Sequence, residues 1–307
     1  MEETREMVKV WPRKDISRET YMTRVTSKRG AGRGYELEGA VGMYPSVTHI
    51  LSYTTVKHAL PQWYAKKVAE KAGEHWQNEY KPRHDTPVDE FIKDIKSAPS
   101  EEFKHAGKVG TEVHDLINKA IRYKMDNPYT TWEEISEFGE RTQYPEPEVG
   151  VAFKNWVAFI IANYPDIVFL ETEFATYIDG HVVSPDHGGT VNIPLYAGTV
   201  DAVGLTPDHK LVVFDWKTGS GIYDEAGYQV AAYCNSIWNG NEQLADIYGG
   251  ITGAVVRLSK TDAEFEVKTI TDWERPSIVF KTMCSLYTQL SYPVFDKKAR
   301  KKKVSNG

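Results

Sequence analysis

The sequence predicts a mixed α/β fold, in which a central sheet is flanked by helices. Up to about residue 165, apolar residues recur at helical spacing, whereas the chain from residue 166 onward is rich in Val, Ile, Phe, Tyr and Thr. Beyond that point the predicted order is three strands, a helix, two strands and a final helix. That order is typical of a mixed sheet with helices packed against it.

The composition excludes several classes of protein. The 307 residues include 37 Lys and Arg against 43 Asp and Glu, a net charge of -6 that excludes a uniformly basic nucleic-acid coat but not a local basic groove. The two cysteines, Cys234 and Cys284, exclude a disulfide scaffold and a four-cysteine metal site within one chain. Because no apolar run reaches about 20 residues and no secretory signal is present, we expect a cytoplasmic protein without a membrane span.

The chain divides into four predicted parts. Residues 1–43 are polar and predict an irregular arm. Residues 44–104 predict a helical lead-in, and residues 105–292 hold the sheet and its helices. Residues 293–307 form a tail that contains the basic run KKARKKK.

Two helices and an irregular connection are predicted in the lead-in. The first helix follows YPSVTHIL, with Ser46 or Thr48 near its cap. The second runs from about Leu60 to Glu79. Residues 81–100 mix Pro, Asp and Lys without a clear period and predict an irregular connection.

The core is predicted to begin with two buried helices. Apolar residues at i, i+3, i+4, i+7 and i+8 predict the first, after a glycine-rich start at residues 107–110, and they are Val113, Leu116, Ile117, Ala120 and Ile121. A similar group predicts the second, and it comprises Phe153, Trp156, Val157 and Ile160. The predicted strands cover 167–177, 196–206, 210–218, 249–259 and 263–270, with helices over about 223–238 and 273–290.

Strand 210–218 carries the first candidate site residues. Asp215 and Lys217 share a face with Leu211 and Val213, and the opposite face is apolar as well, so the strand is predicted to be central and buried on both sides. Burying a carboxylate and an ammonium group is unfavourable unless they pair or bind a ligand. At the end of the strand they can reach a crevice, where open α/β sheets place their sites. Alone, such a pair is more often a surface ion pair.

Neighbouring strands supply further carboxylates. Asp201 lies among apolar residues, and Glu171 and Glu173 lie on a common face of the preceding strand. Magnesium typically takes one or two carboxylates together with water and phosphate oxygens. These carboxylates, with Lys217, therefore predict a magnesium-dependent phosphodiesterase centre.

Five short motifs in a fixed order resemble the RecB-type branch of the PD-(D/E)XK nuclease superfamily over about residues 105–260. They are G-T-x-x-H (Gly110, Thr111, His114), Glu173, G-x-x-D (Gly198, Asp201), D-W-K-T-G (Asp215 to Gly219) and Q-x-x-x-Y (Gln229, Tyr233). The resemblance implies a restriction-endonuclease-like mixed β-sheet core flanked by helices, with an N-terminal helical portion.

The resemblance also implies a set of metal ligands. Asp201 and Asp215 are implied as the principal ligands, and the main-chain carbonyl of Trp216 as a third oxygen. His114 is implied as a ligand of the same or a second ion, and Glu173 as lying near the metal directly or through water. The implied cofactor is one or two ions of Mg or Mn, without the iron–sulfur cluster that some relatives bind through four cysteines.

The remaining implied roles concern catalysis and DNA. Lys217 is implied as the catalytic lysine, and Gln229 and Tyr233 project toward the scissile strand or the active-site network. Glu173 matches the spacing of the family, with Glu171 as the alternative. Thr111 and Tyr233 are implied DNA contacts.

Basic clusters suggest a path for DNA outside these motifs. The first contains Lys28, Arg29 and Arg33, the second Lys66, Lys67 and Lys71, and the third is the tail. Trp63, Tyr64 and Trp76 lie near the second cluster and suit stacking on unpaired bases. Taken singly, such clusters are more often solvated surface, and such aromatics are more often core.

The expected function is that of a metal-dependent DNA exonuclease, a hydrolase that uses a metal-activated water and serves phage recombination or DNA processing. The alternatives are a structure-specific endonuclease on the same core and a non-catalytic DNA-binding recombination factor. DNA is the expected partner, with a single-strand annealing or other recombination protein as a further one. The polarity of digestion, the preference for one or two strands and the oligomeric state are left open.

Overall fold

The computed structural model describes residues 3–11, 19–27, 33–40, 42–55, 59–78, 88–142, 146–183, 190–239 and 243–290, and these form a mixed α/β fold with two sheets. The strands are β1 (Glu3–Lys9), β2 (Tyr21–Ser27), β3 (Arg33–Leu37), β4 (Tyr44–Pro45), β5 (Val168–Val183), β6 (Thr190–Leu205), β7 (Leu211–Lys217), β8 (Ile251–Leu258) and β9 (Phe265–Ile270). The helices are α1 (Val47–Thr54), α2 (Ala59–Asn78), α3 (Val88–Asp126), α4 (Trp132–Arg141), α5 (Pro147–Asn163), α6 (Asp224–Trp238), α7 (Leu244–Ile247) and α8 (Glu274–Leu290).

The larger sheet has the strand order β5-β6-β7-β8-β9. Its neighbours are antiparallel except for β7 and β8, which are parallel and connected through α6. The predicted alternation in β7 is confirmed, because Leu211 and Val213 belong to one core cluster and Val212 and Phe214 to another. A strand buried on both faces presents polar groups to solvent only at its end.

Helices cover both faces of this sheet. Core residues of α1, α6 and α8 pack on one face, and those of α3, α4 and α5 on the other. The apolar sets predicted in the two core helices are buried in α3 and α5. Ser46 caps α1, since its hydroxyl accepts the main-chain N–H of His49. Among the described residues, no helix is both long and apolar enough for a bilayer crossing.

The N-terminal arm was predicted to be irregular, and this prediction is wrong for its described residues. Strands β1 to β4 form an antiparallel four-stranded sheet, here called the N-terminal sheet. Val8 and Met22 are among the few apolar residues that it buries, and they pack on Ala175 and Ala197 in β5 and β6. With so few buried residues in each strand, the alternation is weak in the sequence.

The irregular connection over residues 81–100 was also predicted wrongly where the structure describes it. Helix α3 begins at Val88 and continues through Pro99 and the glycine-rich segment 107–110. Ion pairs join its N-terminal half to α2, including one between Lys67 and Glu102 at 3.3 Å. The predicted boundary between residues 104 and 105 therefore falls inside one helix. Residues 28–32 and the basic tail lie outside the described residues.

Candidate metal centre

A cleft of about 980 Å³ lies between the N-terminal sheet, α3, α6 and the ends of β6 and β7. Nine of the predicted catalytic, metal-binding and DNA-contacting residues line it, namely Thr111, His114, Glu173, Asp201, Asp215, Trp216, Lys217, Gln229 and Tyr233, and so does Arg33 of the first basic cluster. The nine residues come from α3, β5, β6, β7 and α6, so the fold brings together residues that are more than one hundred positions apart.

The cleft exists because β6 and β7 separate at one end. Their pairing runs from Leu205 and Leu211 to Ala202 and Phe214 and then stops. Beyond this point the main-chain N–H of Trp216 donates to Asp201 Oδ2 at 2.7 Å. The side chain of Asp201 thus replaces a missing ladder partner, while its other oxygen is left to face the cleft.

Three side chains form a potential metal-binding group, here called the donor group. His114 Nδ1 lies 3.3 Å from Asp201 Oδ1 and 4.0 Å from Glu173 Oε1. One ligand atom from each of the three lies within 4.8 Å of the other two. An imidazole nitrogen with carboxylate oxygens suits Mg²⁺ or Mn²⁺, so the residues present fit the implied ion.

Burial and neighbouring charges shift the pKa of each residue of the donor group. Burial and repulsion from Asp201 raise the pKa of Glu173 to about 7. Burial disfavours the charged imidazole of His114, but attraction by Asp201 and Glu173 outweighs it and raises the pKa to about 9. Burial likewise opposes ionisation of Asp201, but His114 and Lys217 together keep its pKa below the ordinary value.

A second group next to it contains the predicted catalytic lysine. Lys217 Nζ lies 2.8 and 2.7 Å from the two oxygens of Asp215 and donates to Gln229 Oε1 at 3.2 Å. Gln229 in turn donates to the hydroxyl of Tyr233 at 3.1 Å. Burial raises the pKa of Asp215 to about 6 despite the attraction of Lys217. Asp215, implied as a principal ligand, is therefore engaged by Lys217 and lies outside the donor group.

Two glycines of the motifs have packing explanations. A Cβ atom on Gly198 would lie 2.5 Å from Cε1 of the buried Tyr233 ring. A Cβ atom on Gly110 would lie 3.1 Å from Thr218 Oγ1. Glycine at these positions lets α6 approach β6 and lets α3 approach the end of β7, and so closes the cleft around the donor group.

The two candidate carboxylates of β5 have different partners. Glu171 forms ion pairs with Lys9 at 3.1 Å and Arg122 at 3.9 Å. Glu173 belongs to the donor group and has a backbone φ of +50°, in the left-handed region that non-glycine residues rarely adopt. An irregularity in the pairing of β5 and β6 just before Glu171 accompanies this local change in direction. The geometry thus favours Glu173 as the metal-facing residue.

Two of the predicted DNA contacts lie away from the cleft. Lys66 and Lys67 are on α2, where both form ion pairs with Glu70, and neither lines the cleft. Thr111 lines the cleft, and its hydroxyl donates to the main-chain carbonyl of Gly107. The rings of Trp63 and Tyr64 pack edge to face on α2, and the side chain of Trp76 is outside the described residues.

The N-terminal sheet contributes site residues that the sequence analysis did not identify. Arg24 donates to Thr199 Oγ1 at 3.4 Å, and the hydroxyl of Tyr35 lies 2.8 Å from the same oxygen. Thr199 precedes Asp201 by two residues on β6. No short motif marks Arg24 or Tyr35, because they reach the site only through the pairing of the two sheets.

Comparison with known proteins does not identify a family for this chain. No family model matches the sequence, and no curated protein matches it. Among solved structures, the crystal structure of SSO0001 is similar at 16% sequence identity and a TM-score of 0.28, over 58% of this chain and 74% of that chain. A similarity of that strength carries no argument about fold or function, so function has to be inferred from the site itself.

Proposed function

We propose that the protein is a metal-dependent DNA exonuclease of the RecB-like PD-(D/E)XK type, with a restriction-endonuclease-like core. One observation carries the proposal, namely that His114, Glu173 and Asp201 converge in the same cleft as the Asp215–Lys217 pair. Clusters of ionisable groups with shifted pKa values in a cleft are characteristic of functional sites. The order of the five motifs supplies the reaction class.

The donor group is the part of the site that would hold the cation. A divalent ion there would polarise a phosphate group and lower the pKa of a bound water. Lys217, which lines the same cleft, would hold a positive charge close to the phosphate on which negative charge develops. Gln229 accepts a hydrogen bond from Lys217, and with Asp215 it fixes the position of that ammonium group.

The test compares linear and closed circular DNA, with Mg²⁺, Mn²⁺ or EDTA. We expect loss of linear DNA alone, dependent on the metal, and release of 5′-phosphate products. Nicking of circles would favour the endonuclease. DNA retention without loss in the presence of either metal would contradict the proposed activity and favour the binding factor.

Lys217→Ala provides the matched test of mechanism. We expect this variant to lose cleavage and to keep Mn²⁺ binding, because the donor group is intact. Lys210→Ala is the control, since Lys210 pairs with Asp208 in the exposed turn between β6 and β7 and lies outside the cleft. Lys217→Ala leaves the buried carboxylate of Asp215 without its ion-pair partner, so thermal unfolding of both variants is measured to check that the fold is intact. Cleavage by Lys217→Ala at the wild-type rate would show that the assigned mechanism is wrong.

A further inference from the structure

The inner face of the N-terminal sheet carries two arginines next to the donor group. Arg24 lies opposite Tyr35, and Thr26, two residues after Arg24, lies opposite Arg33. Because side chains two residues apart share a face of a strand and directly paired residues share it too, Arg24, Arg33 and Tyr35 lie on one face. Tyr35 and Arg24 reach Thr199 on β6, so this face is turned toward the donor group.

We propose that Arg33, with Arg24 beside it, forms a phosphate subsite for a nucleic-acid backbone on the N-terminal sheet. The inference rests on the proposed function, because the ligand it names is the substrate strand of that same cleft. It makes the N-terminal sheet a substrate-binding wall, and of the three basic clusters in the sequence it selects the one that contains Arg33 rather than the one on helix α2.

The ion pairs of the cleft distinguish Arg33 from the other cations around it. Lys9 is held by Glu171 and Glu19, and Arg24 is held by Glu6. Arg33 lines the cleft, is exposed, and has no carboxylate partner in the part of the chain that the structure describes. An exposed guanidinium without a partner is available to bind a phosphate with two parallel hydrogen bonds.

The position of Arg24 places the subsite next to the donor group. Arg24 lines the same cleft as Glu173, and its guanidinium donates to Thr199, two residues before Asp201 on β6. A phosphate bound between Arg24 and Arg33 therefore lies beside the donor group, and the next phosphate of the same strand can reach that group. Arg24 also ties β2 to β6 through Thr199, so it is a positioning residue as well as a cation.

The experiment measures binding of a single-stranded oligonucleotide, a duplex and inorganic phosphate, with Mn²⁺ present and Lys217→Ala as the non-cutting background. Arg33→Gln is compared with Arg5→Gln. Arg5 is an exposed arginine of the same sheet that pairs with Glu36 and does not line the cleft. Arg33→Lys, which keeps the positive charge but cannot form two parallel hydrogen bonds to one phosphate, is measured as a second variant.

We expect Arg33→Gln to weaken oligonucleotide binding roughly tenfold or more, as for loss of a hydrogen bond to a charged group. For Arg33→Gln the slope of log K against log salt should fall by about 0.7 for the single strand or about 0.9 for the duplex. Arg33→Lys, which keeps the charge, should keep the slope and show an intermediate affinity. Arg5→Gln should match the background protein. Equal affinity and slope for Arg33→Gln and Arg5→Gln would overturn the subsite.

The outcomes separate this inference from the proposed function. If the protein with Lys217 intact cleaves DNA while Arg33→Gln binds it normally, only the subsite is wrong. If the wild-type chain binds Mn²⁺ but neither binds nor cleaves DNA, the proposed function fails and the subsite fails with it. Binding of inorganic phosphate that depends on Arg33, without binding of either oligonucleotide, would identify a small phosphate ligand and overturn the backbone assignment.

Discussion

Asp201→Asn tests the geometry of the donor group without requiring catalysis. Burial disfavours the imidazolium of His114, but Asp201, whose Oδ1 lies 3.3 Å away, and Glu173 outweigh it and raise the pKa from 6.5 to about 9. The difference corresponds to about 3 kcal/mol in favour of the charged form. The amide oxygen of the variant still accepts the main-chain N–H of Trp216, so β6 and β7 keep their separation.

In the metal-free variant we expect the pKa of His114 to fall to 6.5 or below, because burial is then opposed mainly by Glu173. The assay is an NMR titration of the histidine Cε1–H signals between pH 5 and pH 10. Asp208→Asn is the control, since Asp208 pairs with Lys210 in an exposed turn and should leave His114 unchanged. A pKa that stays near 9 in Asp201→Asn would refute the reasoning, and with it the proximity of the two side chains.

Three further predictions concern packing, protons and capping. Gly198→Ala should lower the free energy of unfolding by about 1–3 kcal/mol in denaturant, because its Cβ would lie 2.5 Å from the ring of Tyr233, whereas Gly150→Ala in α5, with open space around it, should not. Mn²⁺ binding at pH 7 should release protons, and its affinity should rise up to pH 9, because His114 and Glu173, with pKa values of about 9 and about 7, must lose protons to bind. Calorimetric heats of binding that do not vary with the ionisation enthalpy of the buffer would contradict this. Ser46→Ala should cost about 1 kcal/mol of stability through loss of the α1 cap, measured against the exposed Ser52→Ala.

The buried strand and its two polar residues were predictable from the sequence because the information is local. A strand that is apolar on both faces and ends in Asp215 and Lys217 has few alternatives once helices are assigned on either side. The convergence of His114 with Asp201 could not be derived from periodicity, since it depends on how α3 crosses the sheet. That expectation came from the resemblance, and the packing of Gly110 against Thr218 gives it a physical basis.

The N-terminal sheet and helix α4, which the sequence analysis did not predict, differ in how far the sequence signals them. The N-terminal sheet is stabilised mainly by packing on β5 and β6, so its strands carry too few apolar residues for periodicity to reveal them. Helix α4, by contrast, has a local signal in the sequence. Thr131 and Glu134 form a capping box, in which each side chain accepts the main-chain N–H of the other. A Thr-x-x-Glu sequence before Ile135 was sufficient to predict that start.

The charges of the cleft favour a cation site over a purely structural cluster, and Glu173→Gln tests this. His114 and Lys217 already balance Asp201 and Asp215, so Glu173 adds a third carboxylate in a strained backbone conformation. Burial and repulsion from Asp201 raise its pKa from 4.5 to about 7, so in the metal-free protein stability falls as the pH rises through this interval, and the full loss is present above about pH 7. At pH 8 Glu173→Gln should therefore raise the metal-free free energy of unfolding and weaken Mn²⁺ binding, with little change in stability below pH 4. Lower stability at pH 8 with unchanged Mn²⁺ affinity would mean that Glu173 only ties α3 to the sheet.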